Sequence, residues 1–240
     1  MNSEAVARLR MEASRADYPS MARLARALYE TGLGPREVLR ECYGVTFPEE
    51  LFVVVDAGLW SLDLLAYFTD QPWELAIPPD RGGPADTPGS MADTESLIVA
   101  RDPDLMPLLQ IPAAQAHEED RIVCYRLEEL RAGRPTVFCL GAEAYPSGQV
   151  REGEAVRCGE SMLAVLYEEH AASLRSLEEE VHRPWNRGAG SVSWDEVEQA
   201  RESLALVAEL RRRAVVKDDG AGLQPHPATP AGPRIGPAGR

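Results

Sequence analysis

Basic residues are scarce in this chain: 25 Lys plus Arg stand against 39 Asp plus Glu, a formal net charge of −14 over 240 residues. A surface of that sign repels a phosphate backbone, so a nucleic-acid partner is not expected. Long apolar runs are missing as well. The longest, Leu51 to Val55, falls far short of the roughly 20 residues that cross a bilayer. Met1-Asn2-Ser3-Glu4 opens a polar helix in place of an apolar export signal, so the expected setting is cytoplasmic with no membrane partner. Paired cysteines are absent too: Cys42, Cys124, Cys139 and Cys158 stand singly, with no C-x-x-C spacing. That argues against a zinc knuckle or a thioredoxin-type redox site. Cys124 and Cys139 lie in apolar β-type runs, where a thiol serves as a small buried hydrophobe.

The motifs of common chemistries are also lacking. Neither a G-x-x-x-x-G-K-[ST] nor a G-x-G-x-x-G phosphate loop occurs. His117-Glu118-Glu119-Asp120-Arg121 places Arg where a zinc-protease helix needs its second imidazole, and His170, His182 and His226 form no ligand spacing. Cys158-Gly159-Glu160-Ser161-Met162 lacks the second glycine of a nucleophile elbow. A non-catalytic protein without metal, nucleotide or other cofactor is expected, although a site assembled from distant residues would leave no such trace.

What is present is enough apolar residue, 44% of 240, to build one or two ordinary domains without staples. Glu4 to Glu30 reads as two helices broken at Tyr18-Pro19-Ser20. Pro35 begins a third helix that Gly44 closes. Pro48-Glu49-Glu50 looks like another helix start, with both glutamates at the positive end of the macrodipole, but the β-branched Val53-Val54-Val55 that follows also suits a strand. Leu62 to Thr69 and Trp73 to Ile77 read as two strands or as a strand and a bend, and Pro78 to Ser90, with four Pro and three Gly, as a loop. Leu97 to Ala100, Leu108 to Ile111, Ile122 to Leu127 and Thr136 to Leu140 read as strands of one sheet. Glu128 to Pro135 makes a hairpin turn or one helical turn capped by Gly133. A long amphipathic helix runs from Glu160 to a stop at Pro184. Ser193-Trp194-Asp195-Glu196 is a capping box opening a last helix, with Arg211-Arg212-Arg213 complementing the dipole in its final turn. Clustered helices, clustered strands, then helices predict an α+β fold, a mainly antiparallel sheet flanked by helices, with extra helices at the N- and C-termini.

One stretch resembles a known family. Tyr43-Gly44-Val45-Thr46-Phe47-Pro48-Glu49-Glu50-Leu51 leads into an apolar segment ending Asp56-Ala57-Gly58. A second block joins Leu108 to Pro112, Asp120 to Leu127 and Gly133 to Phe138. Over about residues 36–177 this order is similar to the SUKH superfamily, the proteins related to a fungal cell-wall-synthesis regulator and to many bacterial toxin-immunity proteins. The family's Asn is Ala57 here, and Gln115 to Asp120 replaces its Gly-Asp-Gly-like turn. The resemblance implies that Gly44, Phe47, Pro48, Leu51 and Gly58 are scaffold positions, and that the protein binds without catalysis. It divides the chain into a helical extension (1–35), a SUKH-like α+β domain (36–183), a C-terminal helix (184–217) and a disordered Pro/Gly-rich tail (218–240).

The leading functional expectation is an immunity protein that binds and neutralises a toxin domain, because an acidic surface is steered to the basic cleft of a nuclease-type toxin. An intracellular adaptor or regulatory protein of the same superfamily is the alternative, and an enzyme with an unrecognised site the third reading. For the partner surface, Trp73 and Glu74 beside the loop, with the acidic turn Glu118, Glu119 and Asp120, would supply an aromatic anchor and a phosphate mimic. The competing reading makes Trp73 core and the acids a solvated turn. Oligomeric state is open.

Overall fold

A computed structural model of the chain describes residues 3–113, 119–142, 154–183 and 192–221. Its helices are α1 (Ser3–Glu12), α2 (Tyr18–Glu30), α3 (Pro35–Tyr43), α4 (Glu49–Asp56), α5 (Ala92–Arg101), α6 (Leu127–Arg131), α7 (Met162–Val181) and α8 (Trp194–Ala221). The strands β1 (Tyr67–Phe68), β2 (Leu105–Ile111), β3 (Asp120–Arg126), β4 (Val137–Ala142) and β5 (Val156–Gly159) form one antiparallel sheet in the order β1-β2-β3-β4-β5. The fold class is α+β, with segregated sheet and helices, as the clustering of elements predicted.

The local chemistry explains most boundaries. Pro35 sits in the first turn of α3, and Gly44 ends it in the left-handed region at φ 68°, its N–H donating to Arg40 O. The Pro48-Glu49-Glu50 start prevails over the β-branched run that follows: Leu51 to Val55 is helical and buried on every side, so packing overrides intrinsic preference. Ser161 caps α7, its Oγ accepting from Ala164 N at 3.2 Å. At α8 the capping box is reciprocal: Glu196 accepts from Ser193 N at 2.7 Å while Ser193 Oγ accepts from Glu196 N at 3.2 Å.

Three readings are corrected. Leu97 to Ala100 is not a strand but the second half of α5, whose first turn carries Asp93 and Glu95 and whose last carries Arg101. Ile98 is buried while Leu97 is 56% exposed, so the apolar run wraps a helix instead of alternating. Of Leu62 to Thr69 only the two residues of β1 are strand, and Trp73 to Ile77 contains a 3₁₀ turn after a cis Gln71–Pro72 bond. Arg211 to Arg213 do not end their helix: α8 runs on to Ala221, Arg211 lies over the Tyr167 ring at 5.5 Å, and Arg212 pairs with Glu209. Strand β5 was not foreseen, being four residues with only Val156 and Cys158 apolar. Residues 222–240 of the expected tail lie outside the described residues.

One face of the sheet and seven helices, all but α5, enclose the main core. Val123 and Tyr125 of β3, with Val137 of β4, pack with Leu24 and Leu28 of α2, Leu51 and Val54 of α4, Leu163 and Leu166 of α7, and Val207 and Leu210 of α8. The expected boundary at residue 36 therefore divides side chains that share one core, and α8 belongs to it too. On the opposite face, Ile122, Cys124, Leu140 and Leu105 cluster with Ile98 of α5.

The Pro78–Ser90 segment is a loop with one 3₁₀ turn, and it is anchored at Gly83. A Cβ there would stand 2.6 Å from Ile77 Cβ and 2.7 Å from Ile77 O. Gly83→Ala is expected to destabilise the fold by about 1–3 kcal/mol through overpacking, read as a lowered Tm.

Candidate functional site

The residues expected to bind a partner do not form one surface. Trp73 is fully buried, its ring edge-on to Phe68 and its Nε1–H donating to Leu108 O at 2.6 Å. It is core, and the aromatic-anchor expectation is corrected accordingly: the indole is held by Leu108 of β2 and Phe68 of β1, away from solvent. Glu74 faces inward as well, accepting from the Tyr18 hydroxyl and, at 3.4 Å, from Ala85 N, which ties the loop to α2. Asp120 is also buried, accepting from Gln110 Nε2 and, at 2.9 Å, from Ala113 N. It closes the β2–β3 connection and offers nothing to a partner. Glu119 is exposed, and Glu118 lies outside the described residues. Of the scaffold positions, Phe47 and Leu51 are core, and Gly44 and Gly58 take positive φ; Pro48 precedes α4 in extended conformation.

The pairing of aromatic and acids that was sought at Trp73 occurs elsewhere, where α7 ends and α8 begins. These helices run antiparallel: Tyr167 meets Arg211, Glu178 meets Arg201 at 2.7 Å, and His182 meets Trp194 edge-on at 5.2 Å. Trp194 is nevertheless 56% exposed. The last turns of α7 carry Glu178, Glu179 and Glu180, and the first turns of α8 carry Asp195, Glu196, Glu198 and Glu202, against Arg183 and Arg201. Arg201 divides itself between Glu178 and Glu198, and Arg183 pairs with Glu180. Glu179, Asp195 and Glu202 are exposed, so the surface keeps an acidic excess. The Ser193 N–H and hydroxyl hold the Glu196 carboxyl below the usual carboxylate range, which keeps it charged.

The segment after α4 runs beside this hairpin. Gln199 of α8 donates to Asp63 at 2.7 Å, and His170 of α7 accepts from Leu65 N at 3.2 Å. The same segment exposes Trp60 and Leu65, so large apolar side chains and carboxylates share one side of the molecule. Trp194 was visible in the sequence within the capping box, at a helix start that normally faces water, and the run Glu178-Glu179-Glu180 marked the adjoining face. What hid them was that their proximity depends on α7 and α8 folding back on each other.

Two other concentrations of polar groups bear on function. A cleft of about 370 Å³ holds Arg134, Arg157 and Phe138, but both guanidiniums are committed, to Glu129 and to Glu160. The second is internal. Glu95 of α5 accepts from Asp70 N and, at 3.2 Å, from Gln71 N, while Asp70 accepts from Gly89 N at 2.8 Å. Burial, with Asp70 nearby, pushes the Glu95 carboxyl up to about 8, and burial pushes Asp70 up to about 6. Such paired carboxyl groups can do acid–base chemistry in a cleft. The space beside Glu95, lined by Arg15, Gln71 and Met106, is too tight for a water molecule, and both carboxyl groups are engaged with backbone amides that tie α5 and the Pro78–Ser90 loop to the Asp70–Gln71 turn. Among the described residues no cluster of three or more metal-ligating side chains occurs, and no helix is long and apolar enough to cross a membrane. No family model, no curated protein and no solved structure matches the chain. The geometry itself defines the class: an α+β protein with an acidic, aromatic helical-hairpin surface.

Proposed function

We propose that the protein is a non-catalytic intracellular binding protein that neutralises a basic toxin domain by docking the α7–α8 hairpin end into its cleft. The observation that carries the reading is Trp194, a half-exposed ring in a field of carboxylates on two packed helices. The net charge of −14 supports it by steering the chain to a cationic partner. The SUKH-like order of helix α4, strands β2 to β4 and the serine-led helix α7 supports it further. In this reading Glu119 is a peripheral acid, and Trp73, Glu74 and Asp120 hold the fold.

Co-expression with nuclease-type toxin domains encoded beside its gene tests the proposal. Survival and a stoichiometric complex are expected. Within that complex, reversing Glu179, Asp195 and Glu202 to Lys should slow association at least tenfold at low salt and flatten its salt dependence. Trp194→Ala should act on dissociation, costing about 2 kcal/mol of binding. Circular dichroism should be unchanged in both, since surface substitutions shift stability by roughly 0.5 kcal/mol. Protection that survives both changes would place the interface elsewhere. Protection by none of the toxins, with a cellular client bound instead, would favour the adaptor reading.

A further inference from the structure

Four thiols are present and only two are neighbours. Strand β4 pairs with β5 with Cys139 opposite Val156, and the register shifts between Val137 and Phe138. That irregularity brings Cys158 onto the face that Cys139 shares with Val123, and both sulfurs pack at the margin of the main core. The two cysteines therefore lie close together across the β4–β5 pair, and the proximity of Cys158 favours negative charge on the Cys139 sulfur. Arg121 of β3 lies on the same face, one alternate position along from Val123, and reaches Glu169 of α7 at 2.7 Å. Both cysteines are partly accessible, whereas Cys124 is fully buried on the other face.

We propose that Cys139 and Cys158 form a peroxide-responsive dithiol, with Cys139 the attacking sulfur, Cys158 the resolving one, and an intrachain disulfide as product. The geometry supplies each part. The neighbouring Cys158 and, less strongly, the Arg121 guanidinium favour negative charge on Cys139, and its thiol is the one of the four held below the ordinary range. Burial and the Glu169 carboxylate oppose that effect without reversing it. Burial instead pushes up Cys42, to about 12, and Cys124. The Cys139 thiolate attacks one peroxide oxygen, the O–O bond breaks, and the departing hydroxide takes a proton and leaves as water. Cys139 is then a sulfenic acid. Cys158 attacks that sulfur, the S–O bond breaks, and the oxygen leaves as a second water carrying the Cys158 proton. Two thiols and one peroxide thus give one disulfide and two waters, with two electrons passing to oxygen.

The product would staple β5, which exposes Val156 and is an edge strand among the described residues, to β4, with which it pairs. Open edges are where sheets recruit foreign strands, so the bond would fix the edge under oxidising stress.

The purified full chain treated with hydrogen peroxide tests this by thiol counting in denaturant and peptide mapping. Two of the four thiols should disappear, the peptides holding Cys139 and Cys158 should be joined, and dithiothreitol should restore the count. Cys158→Ser should stop at the sulfenic acid, trapped by dimedone on Cys139. Arg121→Gln, with its fold verified by circular dichroism, should slow oxidation by about three- to tenfold. Loss of all four thiols at one rate, a bond to Cys42 or Cys124, a bond between two chains, or dimedone found on Cys158 would each overturn the proposal.

Discussion

Replacing Glu50 by alanine is expected to cost the fold about 3–5 kcal/mol, because a buried acceptor would be removed from three donors at once. Glu50 is 5% exposed in the first turn of α4. Its Oε1 accepts from the Tyr125 hydroxyl of β3 and from Met162 N at 3.0 Å, and its Oε2 from Leu163 N at 3.0 Å. Those amides are the first of α7, whose N-terminus carries the positive end of that helix's dipole. One carboxyl group therefore joins a helix, a strand and the start of the helix that carries half of the candidate surface. Burial raises its affinity for a proton, and the three donors and Ser161 oppose that shift. Alanine leaves a hydroxyl and two amides unsatisfied, each worth about 1–3 kcal/mol. Glutamine keeps one carbonyl acceptor but aims an amide donor at one of the N–H groups, so it should recover only part of the loss. Urea unfolding should show the midpoint falling in the order Glu50, Gln, Ala with m unchanged. Because the end proposed to meet the toxin lies at the opposite terminus of α7, binding should persist in whatever fraction remains folded. A loss under about 1 kcal/mol for alanine would mean that water replaces the carboxylate, contrary to its burial.

That residue also marks how far the sequence could be read. Pro48-Glu49-Glu50 correctly announced a helix start, and the expected dipole partner was the start of α4 itself. The structure divides the two glutamates: Glu49 pairs with Arg36 on α3, and Glu50 serves the first turn of α7, 112 positions along the chain. Local signals with a steric or capping cause were legible: Pro35 and Gly44 at the two ends of α3, and the Ser193–Glu196 box. Leu97 to Ala100 was misread because a short apolar run carries no decisive period, and the acids that mark it as helical precede it. Trp73 and Asp120 were ambiguous for another reason. Whether a Trp or an Asp in a turn meets water depends on the strand that covers it, here Leu108 of β2 for the indole and Gln110 for the carboxylate. The α7–α8 surface is nonlocal in the same way, since Glu178 and Arg201 become neighbours only through the hairpin.

Stability should fall as pH rises from about 5 to above 8, and Glu95 should account for most of the slope. Its folded pKa of about 8 lies above the unfolded value near 4.3, so the folded state binds the extra proton throughout that window. Stability linked to this proton is complete below about pH 4.3 and is lost as pH passes the folded value; over the whole window it amounts to roughly 4 kcal/mol. Asp70 adds a smaller contribution of the same sign between its unfolded value and about 6. The cause is specific. Glu95 Oε1 holds the Asp70 and Gln71 amides, but Oε2 is buried without a partner. The nearest cation on α1–α2's connection, Arg15, is turned to the carbonyls of Pro103 and Leu105 and compensates nothing. Asp70 contributes repulsion, and Tyr43 on α3 donates to Gln71, not to Glu95. Glu95→Gln keeps an acceptor for the two amides and removes the charge. Wild type and variant should therefore unfold at similar urea concentrations at pH 5, and the variant should be the more stable by about 2–4 kcal/mol at pH 8.5. The acidic surface works in the same direction, since repulsion within a chain of net charge −14 also relaxes as carboxylates protonate, and this part alone should be screened by salt. Measuring the slope at low and high ionic strength separates the two: the Glu95 share should remain in salt and vanish in the glutamine variant. An unchanged slope in Glu95→Gln would show that Glu95 is already ionised at neutral pH, which its unpartnered Oε2 and its Asp70 neighbour argue against.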